Sequence, residues 1–454
     1  MDRRAFLTAT GLAVSTGGCL RLAEPDSGNE SSAASETATD GVTTSQTATA
    51  SDTSGQTETE TEAERATLAE LACSTDATLP VTATDAWGQP QSDAAATGYV
   101  PAESVGTDGA CIAWRAEDLG TVSSSIVLSD EFVFTGGANG EGLRASDRAT
   151  GELGWTTRDT LPADELINVR NPLVVDGTVY VNAESIRTGA QVFALDAGTG
   201  EEQWRTKPAA DADLLGALRY RDGTLYGSGW VGEDAVAWAV DAADGSQRWQ
   251  TTLSGGGSTS LSVGSERVYV AGDRQGDAGV RALDPETGEL LWRAVDQEVR
   301  GAPTVGDGTV YATTPNDVGP KTLFALDPAS GETKWSFETL NGTNGSAVVA
   351  DGTVTFGTSD GEIYCLDAEG APLWRYRGED VRFSQAGPIR VGDTLIAGAT
   401  QEQSGLYAID AATGDTLWSV PTPDVAMTPA VVDGVVYAMY RTEDYSHHLM
   451  ALRA

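Results

Sequence analysis

Positive charge is what this chain has least of. Lysine occurs at three positions, Lys207, Lys321 and Lys334, and Lys and Arg together number 28 against 67 Asp and Glu, a formal net charge of −39 at pH 7. Nucleic-acid binding by bulk attraction is excluded, because neutralising phosphates needs clustered positive charge. Histidine occurs twice, as the neighbours His447 and His448. A zinc site takes three or four ligands, and adjacent strand residues point to opposite faces, so the pair reads as neither a metal centre nor a general base. Cysteine occurs four times, at 19, 73, 111 and 365, never as an adjacent pair. There is no phosphate loop ending in Gly-Lys-Ser/Thr. The glycines of residues 137–142 stand between strand-like runs with no helical pattern after them, so that segment reads as a hairpin loop.

Glycine, by contrast, is plentiful at 53 of 454 residues, above the roughly 7% of an average chain. With 40% apolar residues, it points to many short strands and tight turns. A chain of this acidity repels itself in dilute buffer, and molar salt, with a Debye length of about 3 Å, screens that repulsion. The composition resembles that of proteins from extreme halophiles; an ordinary acidic secreted protein is the alternative.

The N-terminus carries Arg3-Arg4 ahead of Phe6-Leu7 and a weakly apolar run to Gly18. It looks like a twin-arginine export signal over residues 1–18, too short and too rich in Thr, Gly and Ala to span a bilayer. Thr16-Gly17-Gly18-Cys19 is similar to a lipobox, with Thr16 where Leu is usual. That resemblance implies lipidation of Cys19 and anchoring at the outer face of the cytoplasmic membrane; otherwise Cys19 is a plain thiol. Residues 19–66 form the expected lipid-anchored linker. From residue 24 it is Ser/Thr/Glu/Asp/Ala-rich, has no aromatic residue and has one basic residue, Arg65. Such a segment cannot bury enough apolar area to order itself, and as a coil it spans roughly 35–40 Å. Asn29, Asn341 and Asn344 head triplets that permit glycosylation outside the cell.

The remainder repeats one phrase, clearest in Ala282-Leu283-Asp284-Pro285-Glu286-Thr287-Gly288-Glu289-Leu290-Leu291-Trp292. The same frame opens at Asp147, Asp196, Asp241, Asp327 and Asp410, with a shorter version at Asp367, and successive aspartates lie 49, 45, 43, 43, 40 and 43 residues apart. Between them come apolar strand, tight turn, apolar strand, turning at Asp130, Asp176, Asp222, Ser265, Asp307, Asp351, Asp393 and Asp433. A period of 40–50 residues with strand composition indicates a β-propeller. Seven Asp…Trp phrases face eight hairpins. The last hairpin lacks its Trp strand, and Cys111-Ile112-Ala113-Trp114 is a Trp strand without a hairpin. Together they predict an all-β, eight-bladed propeller of four-stranded blades over residues 111–454, closed by the N-terminal strand completing the C-terminal blade. Residues 67–110 form an N-terminal extension packing on the ring. Trp114, Trp155, Trp204, Trp249, Trp292, Trp335, Trp374 and Trp418 are the expected blade-to-blade docking residues. Trp87, Trp230 and Trp238 lie outside the register.

The phrase Ala-x-Asp-x-x-Thr-Gly-x-x-x-Trp resembles the tryptophan-docking motif of the pyrroloquinoline-quinone-type propellers. That family includes quinoprotein alcohol dehydrogenases and a non-catalytic outer-membrane-assembly lipoprotein. The dehydrogenase branch sets adjacent half-cystines against its quinone and holds calcium with Glu, Asn and Asp; this chain has no Cys-Cys pair and no long inserted loops. Cys365 stands at the Ala position of an Ala-Leu-Asp strand and reads as a small core residue. Cys73 and Cys111 either pair, as an exported chain permits, or remain two free thiols. Segments entering the innermost strands carry Arg170, Asn171, Arg300, Asn344, Arg382 and Gln385 around the funnel. They either hold an anion or a partner's carboxylates, or pair with nearby acids.

The expectation is a non-catalytic binding or assembly scaffold, monomeric, with unknown protein partners at the cell surface and no cofactor. The alternatives are a dehydrogenase using pyrroloquinoline quinone with calcium, and a small-ligand or polysaccharide binder using the central funnel.

Overall fold

The hairpin and Trp phrases fold into eight separate sheets. The structure is a computed structural model that describes residues 68, 70–74, 79, 87–101, 103–117, 119–122, 125–138, 140–161, 168–185, 189–209, 214–232, 234–253, 260–272, 278–315, 319–378, 380–383, 387–425, 427–442 and 444–454. The export signal, Cys19, the linker of residues 19–66 and Gln385 lie outside the described residues. Contacts divide the chain into Met1–Glu62 and Ala63–Ala454, and the second unit holds every described residue.

Each blade has four antiparallel strands, in chain order from the innermost outward in blades 1 to 7. Blades 1 to 7 cover residues 127–156, 168–206, 214–253, 261–294, 304–339, 348–377 and 389–421. Blade 8 takes three strands from residues 430–453 and its outer strand, Cys111–Ala116, from the other end of the chain. Cys111 pairs with Arg453 and Trp114 with Ala451. Joining the two ends of the chain completes blade 8 and pairs the edge that its third strand would otherwise present.

In five hairpins, Asp176, Asp222, Asp307, Asp351 and Asp433 take φ of 48–54° and the following glycine takes 69–77°, the geometry of a turn that matches strand twist. The rest depart from the Asp-Gly rule. Blade 7 turns on Gly392 at φ 54° rather than on Asp393. Asp130-Glu131 and Ser265-Glu266 close their hairpins without a left-handed residue, through Ser129 N–H to Phe132 O at 2.9 Å and Gly264 N–H to Arg267 O at 2.9 Å.

The second turn of each of blades 1 to 7 is built around its aspartate. Asp284 Oδ1 accepts from Glu286 N at 3.0 Å and Thr287 N at 2.8 Å, and these bonds hold its carboxyl below the ordinary carboxylate range. The same turn sets a glycine against the indole of the preceding blade. A Cβ on Gly331 would lie 2.6 Å from Trp292 Cε3, and one on Gly200 would lie 2.5 Å from Trp155 Cε3. Each indole N–H then donates across the junction at 2.8–3.2 Å. Trp155, Trp204 and Trp249, for example, reach the carbonyls of Ala197, Ala242 and Pro285. In six blades the indole also meets a second-strand aromatic ring of its own blade, as in Trp204–Tyr180 and Trp292–Tyr269, both at 5.8 Å between centroids. No helix among the described residues is long and apolar enough to cross a membrane.

Candidate functional site

The antiparallel order puts two kinds of turn on one face of the ring, the first hairpins and the Asp turns. The loops that join second to third strands, and one blade to the next, lie on the other face. Residues 87–103 run inside the turn-face end of the channel and visit every blade in sequence. Leu128 N–H of blade 1 donates to Trp87 O at 3.0 Å, and Val174 N–H of blade 2 to Gly88 O at 2.7 Å. In blade 3, Tyr220 N–H donates to the Gln89 side-chain oxygen at 2.8 Å. Val263, Val305, Val349 and Arg390 of blades 4 to 7 donate to the carbonyls of Ala94, Ala95, Thr97 and Gly98 at 2.7–3.0 Å. In blade 8 the turn amide of Gly434 donates to Glu103 Oε2 at 3.1 Å. The seven donors of blades 1 to 7 occupy one equivalent position, two residues before the first residue of the hairpin turn. This inner strap satisfies a row of edge amides that the ring would otherwise present to its own channel. Over Tyr99–Val100 it becomes a short strand parallel to Ile389–Val391, a fifth strand on blade 7.

The extension is also fixed on the outside. Cys73 and Cys111 form a disulfide with 5.0 Å between Cα atoms. Ile112 N–H donates to Leu71 O at 2.8 Å and Cys73 N–H to Ile112 O at 3.0 Å, so the chain lies along the outer edge of blade 8. Cys365 is a buried thiol, its pKa raised by burial.

Each sequence-predicted funnel residue in the described set is met by its own neighbour, with one exception. Arg170 faces Glu184 at 3.7 Å, and Glu184 also accepts from Asn168 at 3.0 Å. Asn171, at φ 49°, donates to Gly216 O at 3.0 Å. Arg300 pairs with Glu298 at 3.2 Å. Arg382 lies against the Gln401 carboxamide, whose oxygen accepts from Nε at 3.1 Å and Nη1 at 3.3 Å in the orientation that satisfies both groups. The exception is Asn344, which keeps a buried side-chain oxygen without a hydrogen-bond partner. These residues belong to blades 2, 5, 6 and 7 or the loops leading into them, and their pairings stay within a blade and its entry loop, except that Asn171 reaches across to blade 3.

A buried cation that the sequence reading missed stands beside the strap. Arg219 is 3% exposed, three residues before its hairpin turn, where the other blades carry Val127, Leu173, Ser262, Thr304, Val348, Ile389 and Ala430. Burial pulls its guanidinium down to about 10, opposed by the strap's Asp93 carboxylate. Asp93 in turn accepts from Thr97 N at 3.0 Å and Thr97 Oγ1 at 2.5 Å, holding the strap's own loop. The lone charged residue in a column of apolar and small hydroxyl residues was the available signal. The strap itself has no repeat or motif to announce it.

The dehydrogenase branch implies a pyrroloquinoline quinone with calcium. Among the described residues no three His, Cys, Asp or Glu side chains are grouped to hold a metal ion. The carboxylates on the loop side of blades 2 and 5, Glu184 and Glu298, are each committed to an arginine of their own neighbourhood, and the disulfide lies on the outer edge of blade 8. The described donor set does not fit the group.

Eight four-stranded blades, each junction wedged by a docked indole, define a propeller of the pyrroloquinoline-quinone type. Within that class, the chain belongs to the family described as outer membrane protein assembly factor BamB, whose model matches residues 103–232 and 233–454. It is 32% identical over 267 residues to the assembly factor BamB of Burkholderia pseudomallei, covering 55% of this chain and 64% of that relative's length, short of two thirds. It is also 33% identical over 140 residues to the quinohemoprotein alcohol dehydrogenase of Comamonas testosteroni, covering 27% of this chain and 19% of that protein. A solved quinohemoprotein alcohol dehydrogenase from the same organism superposes with a TM-score of 0.62 at 17% identity, covering 82% of this chain and 81% of that one. The crystal structure of BamB from Moraxella catarrhalis gives 0.56 at 18% identity, covering 76% and 98%. At those identities the structural likeness is one of fold.

Proposed function

We propose that the chain is an exported, membrane-tethered, non-catalytic scaffold that binds other proteins during assembly at the cell envelope. The observation that carries this reading is the assembly-factor family match across residues 103–454, on a ring whose channel the inner strap lines at the turn-face end. A scaffold needs faces that keep their shape. The indole junctions and the strap provide rigidity without recruiting the funnel arginines, which pair locally. Arg3-Arg4 and Cys19 support export and lipid anchoring, and the linker to residue 66 supplies the reach for reversible contacts. The acidic surface argues against nucleic acid as a partner. A monomer bearing one lipid anchor is the expected form.

A quinone-dependent dehydrogenase is the second reading, favoured by the sequence match to the Comamonas enzyme. Cross-linking in intact membranes at native salt separates the two. The scaffold reading expects the same protein partners in repeated captures, lost when Cys19 is replaced. Quinone absorbance on adding pyrroloquinoline quinone with calcium, together with dye reduction by an alcohol, would instead establish the enzyme.

A further inference from the structure

The loop face carries a groove at the junction of blades 7 and 8, with a volume of about 630 Å³. That is within the range of small-ligand sites, about 300–1,000 Å³. Its wall is assembled from four stretches of chain: Leu68 of the N-terminal extension, Gln401 of blade 7, Pro421 at the end of blade 7 with Asp424 of the link that follows, and Arg441 and Tyr445 of blade 8.

The polar members form one connected row. Gln401 N–H donates to Asp424 Oδ1 at 3.2 Å. Arg441 Nη2 donates to Asp424 Oδ2 at 2.9 Å, and Arg441 N–H donates to Asp424 O at 2.8 Å. The Arg441 guanidinium then lies over the Tyr445 ring, 5.4 Å from its centroid. Tyr445 is 72% exposed and sits at φ 66°, an unfavourable conformation for a bulky residue. Its loop is fixed by Tyr445 N–H to Thr442 O at 2.9 Å and Ser446 N–H to Asp444 Oδ1 at 3.2 Å. A large ring is therefore held out at the lip of a groove, with one face against a guanidinium and the rest open.

We propose that this groove binds a neutral saccharide. The charges oppose an anion, since the groove's arginine is already paired with a carboxylate and the chain carries −39 overall. A metal ion has too few donors here, because among the described residues of the wall Asp424 is the only carboxylate. An ion pair with both partners about one-third exposed offers donors and acceptors side by side, and a saccharide hydroxyl is both donor and acceptor. The open face of Tyr445 supplies the apolar platform on which the C–H face of a pyranose ring rests. The site goes beyond the scaffold reading and does not depend on it.

The test is titration of the full chain at molar salt with neutral hexasaccharides of glucose and of N-acetylglucosamine. Parallel arms use an oligoglucuronate, a glycopeptide bearing a neutral glycan, and a proline-rich peptide. Saturable binding of a neutral hexasaccharide is expected with a Kd on the order of 0.1–10 mM. Tyr445→Ala should weaken it at least about tenfold, Tyr445→Phe should leave it unchanged, and Asp424→Asn should weaken it. The thermal midpoint of the Tyr445 variants should stay at the wild-type value. Tighter binding of the glycopeptide than of the free sugar would place the natural ligand on a protein; equal binding would place it on free polysaccharide. No saturation by any neutral saccharide, or binding indifferent to Tyr445→Ala, overturns the proposal. So does Tyr445-dependent binding confined to the oligoglucuronate or to the proline-rich peptide.

Discussion

The indole N–H of Trp418 donates to the carbonyl of Gly106 at 2.9 Å, across 312 residues of sequence. The other seven docked indoles reach the residue that follows an aspartate in the next blade, such as Ala197 after Asp196. Blade 8 has no such turn, because its outer strand arrives from the other end of the chain. Gly106 takes its place, packed so closely on the C-terminal residue that a Cβ there would lie 2.3 Å from the Ala454 carbonyl carbon. The seam thus brings together both arms of the chain and one indole.

Replacing that indole should open the seam. Trp418 is buried, and Trp418→Ala removes a large side chain from a junction that cannot close around the loss, at a cost of about 3–5 kcal/mol. Trp418→Phe keeps a ring but leaves Gly106 O without its donor, costing about 1 kcal/mol from that bond. Denaturant unfolding at one fixed molar salt concentration gives both values. A Trp418→Ala midpoint within the scatter of surface substitutions would show that the seam carries no stability.

Two glycines with nearly the same backbone angle should differ sharply. Gly308 sits at φ 69° with nothing within 4 Å of the point a Cβ would occupy, whereas Gly331 sits at φ 76° with Trp292 Cε3 only 2.6 Å from that point. Gly308→Ala then meets only the left-handed conformation, costing about 1 kcal/mol. Gly331→Ala must also push an indole out of a packed junction, adding about 1–3 kcal/mol. Equal losses in the same unfolding assay would mean that the indole yields freely.

The ring was readable because its parts repeat. An aspartate, a glycine and a tryptophan in one frame each answer a local geometric need, and the mismatch of seven phrases to eight hairpins located the seam. The strap was not readable, since its bonds come mainly from backbone carbonyls of Trp87, Gly88, Ala94, Ala95, Thr97 and Gly98, and any residue has a carbonyl. The funnel arginines were legible as residues but not as partners. Glu184 and Glu298 meet Arg170 and Arg300 through strand pairing and loop course, which composition does not specify. Arg441 and Tyr445 share one loop of blade 8, but Asp424 lies on the link from blade 7 and reaches Arg441 only through the packing of the two blades.

Arg148 and Asp433 join blade 1 to blade 8 through an ion pair. The arginine side chain is 0% exposed, and its Nη1 also donates to Ser129 O at 3.3 Å. Asp433→Ala leaves a buried guanidinium without its carboxylate, a loss of about 3–5 kcal/mol. Arg148→Met combined with Asp433→Ala removes both charges and should recover much of that loss. A double-mutant cycle measures the coupling. If the double substitution is as unstable as the sum of the singles, the pair is not what holds this junction.

Acid should loosen the link from blade 8 to blade 1 at His447. Val122 N–H donates to His447 Nδ1 at 3.3 Å, and Leu119 N–H donates to His447 O at 3.0 Å. Burial lowers the imidazole pKa below 6.5, with Arg441 and His448 acting in the same direction and the Gly120 carbonyl opposing them. The unfolded chain therefore binds a proton at a higher pH than the folded one. Stability from this group is fully present above about 6.5 and is lost as pH falls below that value through the folded pKa. A protonated ring also has no lone pair at Nδ1 to accept from Val122. Unfolding midpoints between about pH 7.5 and 5.5 should fall for the native chain, and fall less for His447→Gln, which cannot take up the proton. Parallel curves for the two proteins would remove His447 from the acid response and leave it to the carboxylates, which titrate lower.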